Sequence, residues 1–211
     1  MVLRKLYPFL VFAIAMAYLE AAVVVYLREI YYPDGFQFPL KLIADRMAII
    51  EIGREAATII MLWFITLMAS NKFKEQFPLF LFAFGVWDIF YYFWLKVLIN
   101  WPALRGEWDI LFLIPVPWVA PWLYPVLVSI GFIVAAVLTL HHSAKFSDTI
   151  LTTKEWILMI LAAVIILFSF LWETEKVLAG LIPVYFPWWL FLIGYGLGLV
   201  VFIRRLILKR S

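Results

Sequence analysis

Six long apolar runs divide this chain, and they constrain its fold more than any other feature. Each approaches or exceeds the roughly 20 residues that a helix needs to cross the core of a bilayer. Of the residues, 67% are apolar and 15% are charged, whereas soluble chains carry about 25% charged residues. The sequence therefore predicts an all-α, polytopic integral membrane protein. Its single domain, 1–211, would hold six transmembrane helices at about 6–27, 40–70, 78–100, 121–142, 156–172 and 188–208.

The connection at about 101–121 is the longest between these runs, and it is rich in proline. Pro115, Pro117 and Pro121 lie within it. Proline removes a backbone donor and clashes with the preceding turn of a helix. We therefore expect an irregular outer loop that covers the charged residues described below, with no uninterrupted helix from Pro115 to Pro125.

The basic residues predict the orientation, because cytoplasmic loops carry an excess of Lys and Arg. If the N-terminus is inside, ten of the 17 basic residues but only three of the 14 acidic ones fall on the inner side. We expect a multi-pass protein of the cytoplasmic (inner) membrane with both termini cytoplasmic. The inner basic residues are Arg4, Lys5, Lys72, Lys74, Lys145, Lys154, Arg204, Arg205, Lys209 and Arg210, and the inner acidic ones are Glu75, Asp148 and Glu155.

Charged and tyrosine residues within three of the predicted helices are the candidate functional residues. Charge inside a membrane segment is costly, so such residues usually face a cavity or the protein interior and mark function. A rise of about 1.5 Å per residue places them in one layer, about 15 to 28 Å from the cytoplasmic helix ends. The candidate binding site comprises Glu20 in the first helix, Glu51, Arg54 and Glu55 in the second, and Asp88, Tyr91, Tyr92 and Lys96 in the third.

Helical spacing and charge balance support this grouping. Glu51 and Glu55 share a face because they are four residues apart, and Asp88, Tyr92 and Lys96 follow one another at the same spacing. If all groups ionise, the four carboxylates and two basic side chains sum to minus two. Such an imbalance in a low dielectric requires a bound cation, an added proton or access to water.

Residue types exclude several functional classes. The chain has no cysteine, and its two histidines, His141 and His142, are adjacent and cannot supply facing haem ligands. It holds no phosphate-binding loop, no G-x-S-x-G elbow and no H-E-x-x-H motif. The sequence has no basic patch of the kind that indicates nucleic-acid binding. We predict no cofactor, although carboxylates could hold a hard cation.

Three segments carry a resemblance to known proteins: R-E-A-A-T-I-I-M-L at 54–62, F-G-V-W-D-I-F-Y-Y-F-W-L-K at 84–96 and W-D-I-L-F-L-I-P-V-P-W-V at 108–119. They are similar to segments of an uncharacterised family of polytopic bacterial membrane proteins, and this resemblance implies no activity. The six-helix outline is also similar to the vitamin-binding S-components of energy-coupling transporters. Ala13 and Ala17 resemble the small-residue docking surface of those proteins.

The function that these features favour is binding or translocation of an ion, a proton or a small polar solute in the outer half of the membrane. Two alternatives stay open. The chain could be an accessory subunit of a larger membrane complex, in which ion pairs only hold the helices together. It could also be an intramembrane enzyme acting on a lipid or isoprenoid-type substrate, with a carboxylate as general acid or base. The expected partners are the lipid bilayer, other membrane subunits and a small ligand.

Overall fold

Long helices make up most of the structure, a computed structural model that describes residues 2–40, 45–104, 106–142 and 151–208. Lys145, Asp148, Lys209 and Arg210, which contribute to the predicted orientation, lie outside these residues. The elements are α1 (Val2–Tyr31), α2 (Asp45–Ala69), α3 (Phe73–Ile99), β1 (Trp108–Phe112), β2 (Trp118–Pro121), α4 (Leu123–His141), α5 (Thr153–Leu171), α6 (Thr174–Leu178) and α7 (Trp188–Leu208).

Five helical stretches of the described chain are long and apolar enough to cross a membrane. Many large apolar side chains on these helices remain exposed, while several charged side chains are buried. This is the reverse of a water-soluble protein, and it indicates a helical membrane protein that crosses the bilayer several times. The five stretches are Arg4–Tyr31, Phe73–Ile99, Leu123–His141, Thr153–Leu178 and Trp188–Ile207.

Helix α2 is not among these five stretches, but it shows the same pattern of exposed apolar and buried charged side chains. Glu51, Glu55, Thr58, Leu62 and Thr66 are buried along one stripe, as expected for residues that recur every three or four positions. The opposite face exposes apolar side chains: Ile49, Ile50, Ile52, Ile60, Met61, Phe64 and Met68.

Helix α3 is central and packs against α1, α2 and α4. Gly85 allows the close approach of α4, since a Cβ at this position would lie 2.7 Å from the backbone oxygen of Ser129. Ala13 and Ala17 of α1 are fully buried in the core cluster that also contains Ala83 of α3. These two alanines therefore pack inside the chain, and the docking surface suggested by the resemblance to S-components is not available to a partner.

Helices α5 and α7 form a second packed pair. A Cβ on Gly194 would lie 2.9 Å from the backbone oxygen of Ala162, and Gly198 faces the Cβ of the same residue. The pair joins the rest of the molecule through an aromatic cluster next to β2, which contains Ala120, Phe170, Phe186 and Phe191.

Local chemistry sets several helix ends. Helix α3 begins at Phe73, about one turn before the predicted run at 78–100. It ends at Ile99 and is capped by Asn100, whose φ of 55° is left-handed and whose N–H donates to the Lys96 oxygen at 3.1 Å, a common helix stop. A capping box formed by Thr152 and Glu155 starts α5.

The proline-rich connection forms a β hairpin, which differs from the irregular loop expected from the sequence. Strands β1 and β2 are antiparallel, with Trp108 opposite Pro121. Pro115 and Pro117 lie in the turn between the strands, where a missing N–H breaks no ladder hydrogen bond. Pro125 lies in the first turn of α4, where a helix needs no backbone donor. Since α4 begins at Leu123, no uninterrupted helix runs from Pro115 to Pro125, as expected.

Candidate functional site

A cavity of about 120 Å³ lies between α1, α2, α3 and the hairpin, and it is large enough for several water molecules or a small solute. Val24, Leu27, Trp87, Ile110 and Leu111 contribute apolar parts of its wall. Seven of the eight residues in the sequence-predicted site line it. Its polar and charged lining comprises Glu20, Arg28, Tyr31, Tyr32, Glu51, Arg54, Glu55, Asp88, Tyr91, Tyr92 and Asp109.

Arg54 connects two helices at this cavity. Its Nε donates to one oxygen of Glu51 at 3.0 Å, and its Nη2 donates to the other at 2.5 Å, which is the two-pronged geometry that suits guanidinium and carboxylate. Its Nη1 forms an ion pair with Glu20 of α1. Thr58 donates a hydrogen bond to the same Glu20 oxygen at 3.3 Å. One guanidinium therefore serves two carboxylates.

Glu55 and Asp88 are held differently, because both accept hydrogen bonds from neutral donors. The backbone N–H of Leu113, beside the hairpin, donates to the two oxygens of Glu55 at 3.1 and 2.9 Å. The hydroxyl of Ser129 in α4 donates to Asp88 at 2.8 Å. Both carboxylates are buried, and within the described part of the chain neither has an ion pair with Lys or Arg.

Arg28 and Asp109 form a second ion pair, which joins α1 to the hairpin. Nη2 of Arg28 donates to Asp109 at 3.1 Å, and both side chains are buried. The guanidinium carbon of Arg28 lies 4.4 Å from the ring centroid of Phe36 and 3.9 Å from that of Trp101. Both distances are within the range of cation–π attraction. The aromatic contacts and the ion pair together fix the guanidinium at the wall of the cavity.

Burial raises the pKa of Asp109 above its ordinary value, because the protein interior disfavours the charged carboxylate. Three neighbours act in the opposite direction, namely Arg28 by its charge and the hydroxyls of Tyr91 and Tyr92 by hydrogen bonding. The effect of burial is the larger one. Asp109 therefore holds its proton more tightly than an exposed aspartate does.

Lys96 does not belong to the cavity, contrary to the sequence prediction. Its side chain is exposed, and its Nζ donates to the backbone oxygens of Asn100 and Pro102 at 3.4 and 3.0 Å. Lysine in the last turn of a helix commonly binds the free carbonyls there. The drift of about 40° per four-residue step of a helix also moves Lys96 away from the face of Asp88.

The sequence-based reasoning missed Arg28, Asp109 and Ser129. For Arg28 a signal existed, since it is the first charged residue after Glu20 and lies directly beyond the predicted first helix. Asp109 and Ser129 carry no such signal, because only the folding of the hairpin and the packing of α4 bring them to the carboxylates. With Arg28 and Asp109 included and Lys96 excluded, five carboxylates and two guanidinium groups sum to minus three if all ionise.

The comparisons with known proteins give no assignment. No model of a protein family, no curated protein and no solved structure matches this chain. Among the described residues, no group of three or more Asp, Glu or His side chains is arranged to hold a metal ion. The three segments that carry the family resemblance, 54–62, 84–96 and 108–119, each contribute residues to this cavity.

The arrangement has two chemical capacities. Carboxylates without a cationic partner can take up a proton or a positively charged group. A buried guanidinium can bind an anionic oxygen. Tyr91 and Tyr92, both buried, add hydroxyl groups beside Asp109.

Proposed function

We propose that the chain crosses the cytoplasmic (inner) membrane six times, with α2 as the sixth transmembrane helix and both termini cytoplasmic. The reversed pattern of α2 supports this proposal, because its apolar face is exposed and its charged stripe is buried. A helix of 25 residues is about 37 Å long, which exceeds the roughly 30 Å of a bilayer core. The excess of basic residues on one side supports the orientation.

Reporter fusions test this topology. Fusions after Lys74, Glu107, Lys145 and Lys176 should report inside, outside, inside and outside in turn. If α2 did not cross the membrane, the fusion after Lys74 would report outside, and the proposed topology would be wrong.

We further propose that the cavity binds or translocates an ion, a proton or a small polar solute. The observation that carries this proposal is the pair Glu55 and Asp88, which are buried on different helices and accept hydrogen bonds only from Leu113 and Ser129 among the described residues. A buried charge without a compensating partner is costly. Uptake of a proton or a cationic group removes this cost, so these carboxylates are the proposed acceptors.

The first test is a flux measurement in proteoliposomes. An imposed membrane potential should drive proton entry, recorded with a pH-sensitive dye, and neutralising an acceptor in Glu55→Gln or Asp88→Asn should reduce the flux at least tenfold. The matched control is Glu75→Gln, because Glu75 pairs with Lys5 away from the cavity. Flux in the control should match that of the wild type.

The same variants separate the proposal from a purely structural role. If the network only holds helices together, as in an accessory subunit, Glu55→Gln should lower the melting temperature and leave flux and ligand binding unchanged. That result would contradict the proposed function. Binding without flux would identify a receptor-like or solute-binding protein and would still support the cavity as the site.

A further inference from the structure

Arg28 has a hydrogen-bond donor for which the described chain offers no acceptor. Its Nη1 is buried without a hydrogen-bond partner among the described residues, although the residue lines the cavity and is only 8% exposed. In the ion pair it is Nη2 of Arg28, not Nη1, that donates to Asp109, and Phe36 and Trp101 contact the guanidinium through their rings. A buried donor without an acceptor is destabilising, so an acceptor from a ligand would be favourable here.

The carboxylates of the same cavity lack a positively charged donor, whereas Arg28 lacks an acceptor. Glu55 and Asp88 form no ion pair within the described residues and would gain from a donor that carries positive charge. Arg28, Glu55 and Asp88 all line this one cavity. The cavity therefore contains both a cationic donor that lacks an acceptor and carboxylates that lack an ion-pair partner.

We propose that the ligand of this cavity is a small zwitterion, whose anionic oxygens bind Arg28 and whose ammonium group faces Glu55 and Asp88. This inference rests on the proposed function, since it names the ligand class of the same cavity. A simple cation would leave Nη1 of Arg28 without an acceptor. A simple anion would be repelled by a lining whose formal charge is minus three.

Two sources carry this chemistry, a free amino acid and the ethanolamine phosphate headgroup of a membrane lipid. Both place an ammonium group a few bonds from an oxyanion. Guanidinium groups bind carboxylate and phosphate oxygens by the same charge-assisted hydrogen bonds. The experiment therefore includes both sources.

The first experiment uses the wild-type protein in detergent and measures its melting temperature with glycine, β-alanine and phosphoethanolamine. Ethylamine and acetate are the controls with a single charge. A ligand that binds only the folded state raises the melting temperature in a saturable way. At least one zwitterion should raise it by more than ethylamine and acetate together.

The lipid source is tested in nanodiscs. If a headgroup occupies the cavity, nanodiscs of phosphatidylethanolamine should stabilise the protein more than nanodiscs of phosphatidylglycerol, and free phosphoethanolamine should add nothing. If the ligand is a free amino acid, the two lipids should give the same melting temperature and the free zwitterion should stabilise the protein in both.

The variant Arg28→Lys tests the assigned residue. Lysine keeps the charge but loses the fork of donors, so zwitterion binding should weaken about tenfold or more, while ethylamine binding stays the same. Arg46→Lys is the control, because Arg46 is exposed and does not line the cavity. If Arg28→Lys does not fold, the wild-type comparison alone decides.

The outcomes distinguish the two proposals. If ethylamine stabilises the wild type as well as any zwitterion does, the ligand is a cation, the zwitterion inference is wrong and the proposed function stands. If no zwitterion stabilises the protein in detergent or nanodiscs, the inference is also wrong. If proton flux and ethylamine binding are absent as well, the proposed function fails with it.

Discussion

Arg28 and Lys96 show how the surroundings of a basic residue decide its role. Both lie in the last turn of a long helix. Arg28 is buried between two aromatic rings and pairs with Asp109, whereas Lys96 is exposed and binds backbone carbonyls. A guanidinium is more weakly hydrated than an ammonium group and stacks on aromatic rings. The aromatic neighbours at the cavity therefore favour arginine over lysine at position 28.

The raised pKa of Asp109 predicts a pH dependence of stability. An acid whose pKa is higher in the folded state binds a proton on folding, so its stabilising contribution is complete below the ordinary pKa of 3.8 and is lost as pH rises through the folded value. The variant Asp109→Asn removes this titration. The melting temperature of the wild type relative to Asp109→Asn should therefore fall as pH rises from about 4.

Arg28, Tyr91 and Tyr92 face Asp109, and the nearby Asp88 also interacts with it through its charge. The same comparison in an Asp88→Asn background therefore separates the effect of Asp109 from that of Asp88. A wild-type advantage that instead grew with rising pH would show that the ion pair with Arg28 outweighs burial and lowers the pKa of Asp109.

Among the elements, α5 and α7 illustrate how glycine permits close packing. A Cβ on Gly194 would lie 2.9 Å from the backbone oxygen of Ala162, whereas a Cβ on Gly196, in the same helix, would meet no atom within 4 Å. Gly194→Ala should destabilise the protein by about 1–3 kcal/mol through overpacking. Gly196→Ala should be neutral or stabilising by up to about 1 kcal/mol, since alanine favours helix. Thermal melting checks both variants, and equal melting temperatures would contradict this account.

The helices were predictable because long apolar runs have few alternatives in a membrane. The runs at 121–142 and 188–208 match α4 and α7 to within two residues at each end. The hairpin was not predictable in the same way. Its strands Trp108–Phe112 and Trp118–Pro121 are short and mostly apolar, and such runs do not distinguish a strand from an irregular loop. Asp109 was missed for this reason, because its contacts depend on the fold of the hairpin.

At the scale of the whole molecule, the cavity belongs to the N-terminal part of the chain. Every residue that lines it precedes residue 114. The chain from α5 onwards instead packs against the hairpin and the first half of α4. Thr174 donates to the Pro117 oxygen at 2.7 Å, Tyr195 donates to the Leu127 oxygen at 3.0 Å, and Phe186 contacts Tyr124 with ring centroids 3.9 Å apart.

This division predicts the behaviour of a split chain. Fragments 1–142 and 151–211, expressed together, should copurify and retain the ligand response of the intact protein, because the aromatic cluster and the hydrogen bonds of Thr174 and Tyr195 join them without the covalent link. Phe186→Ala should reduce copurification, since this ring is buried in the shared cluster. The control Leu178→Ala should not, because Leu178 is exposed. Failure of the wild-type fragments to associate would contradict the predicted division.

The depth of Glu55 has an electrical consequence. Glu55 lies ten residues from the first residue of α2, which corresponds to about 15 Å along the helix axis. In the proposed topology, a proton or ammonium group that reaches it from outside has crossed part of the electric field of the membrane. A full crossing is worth about 2.3 kcal/mol per charge at 100 mV. A negative interior would therefore draw cations to Glu55, so that occupancy of the cavity would follow the energisation of the cell.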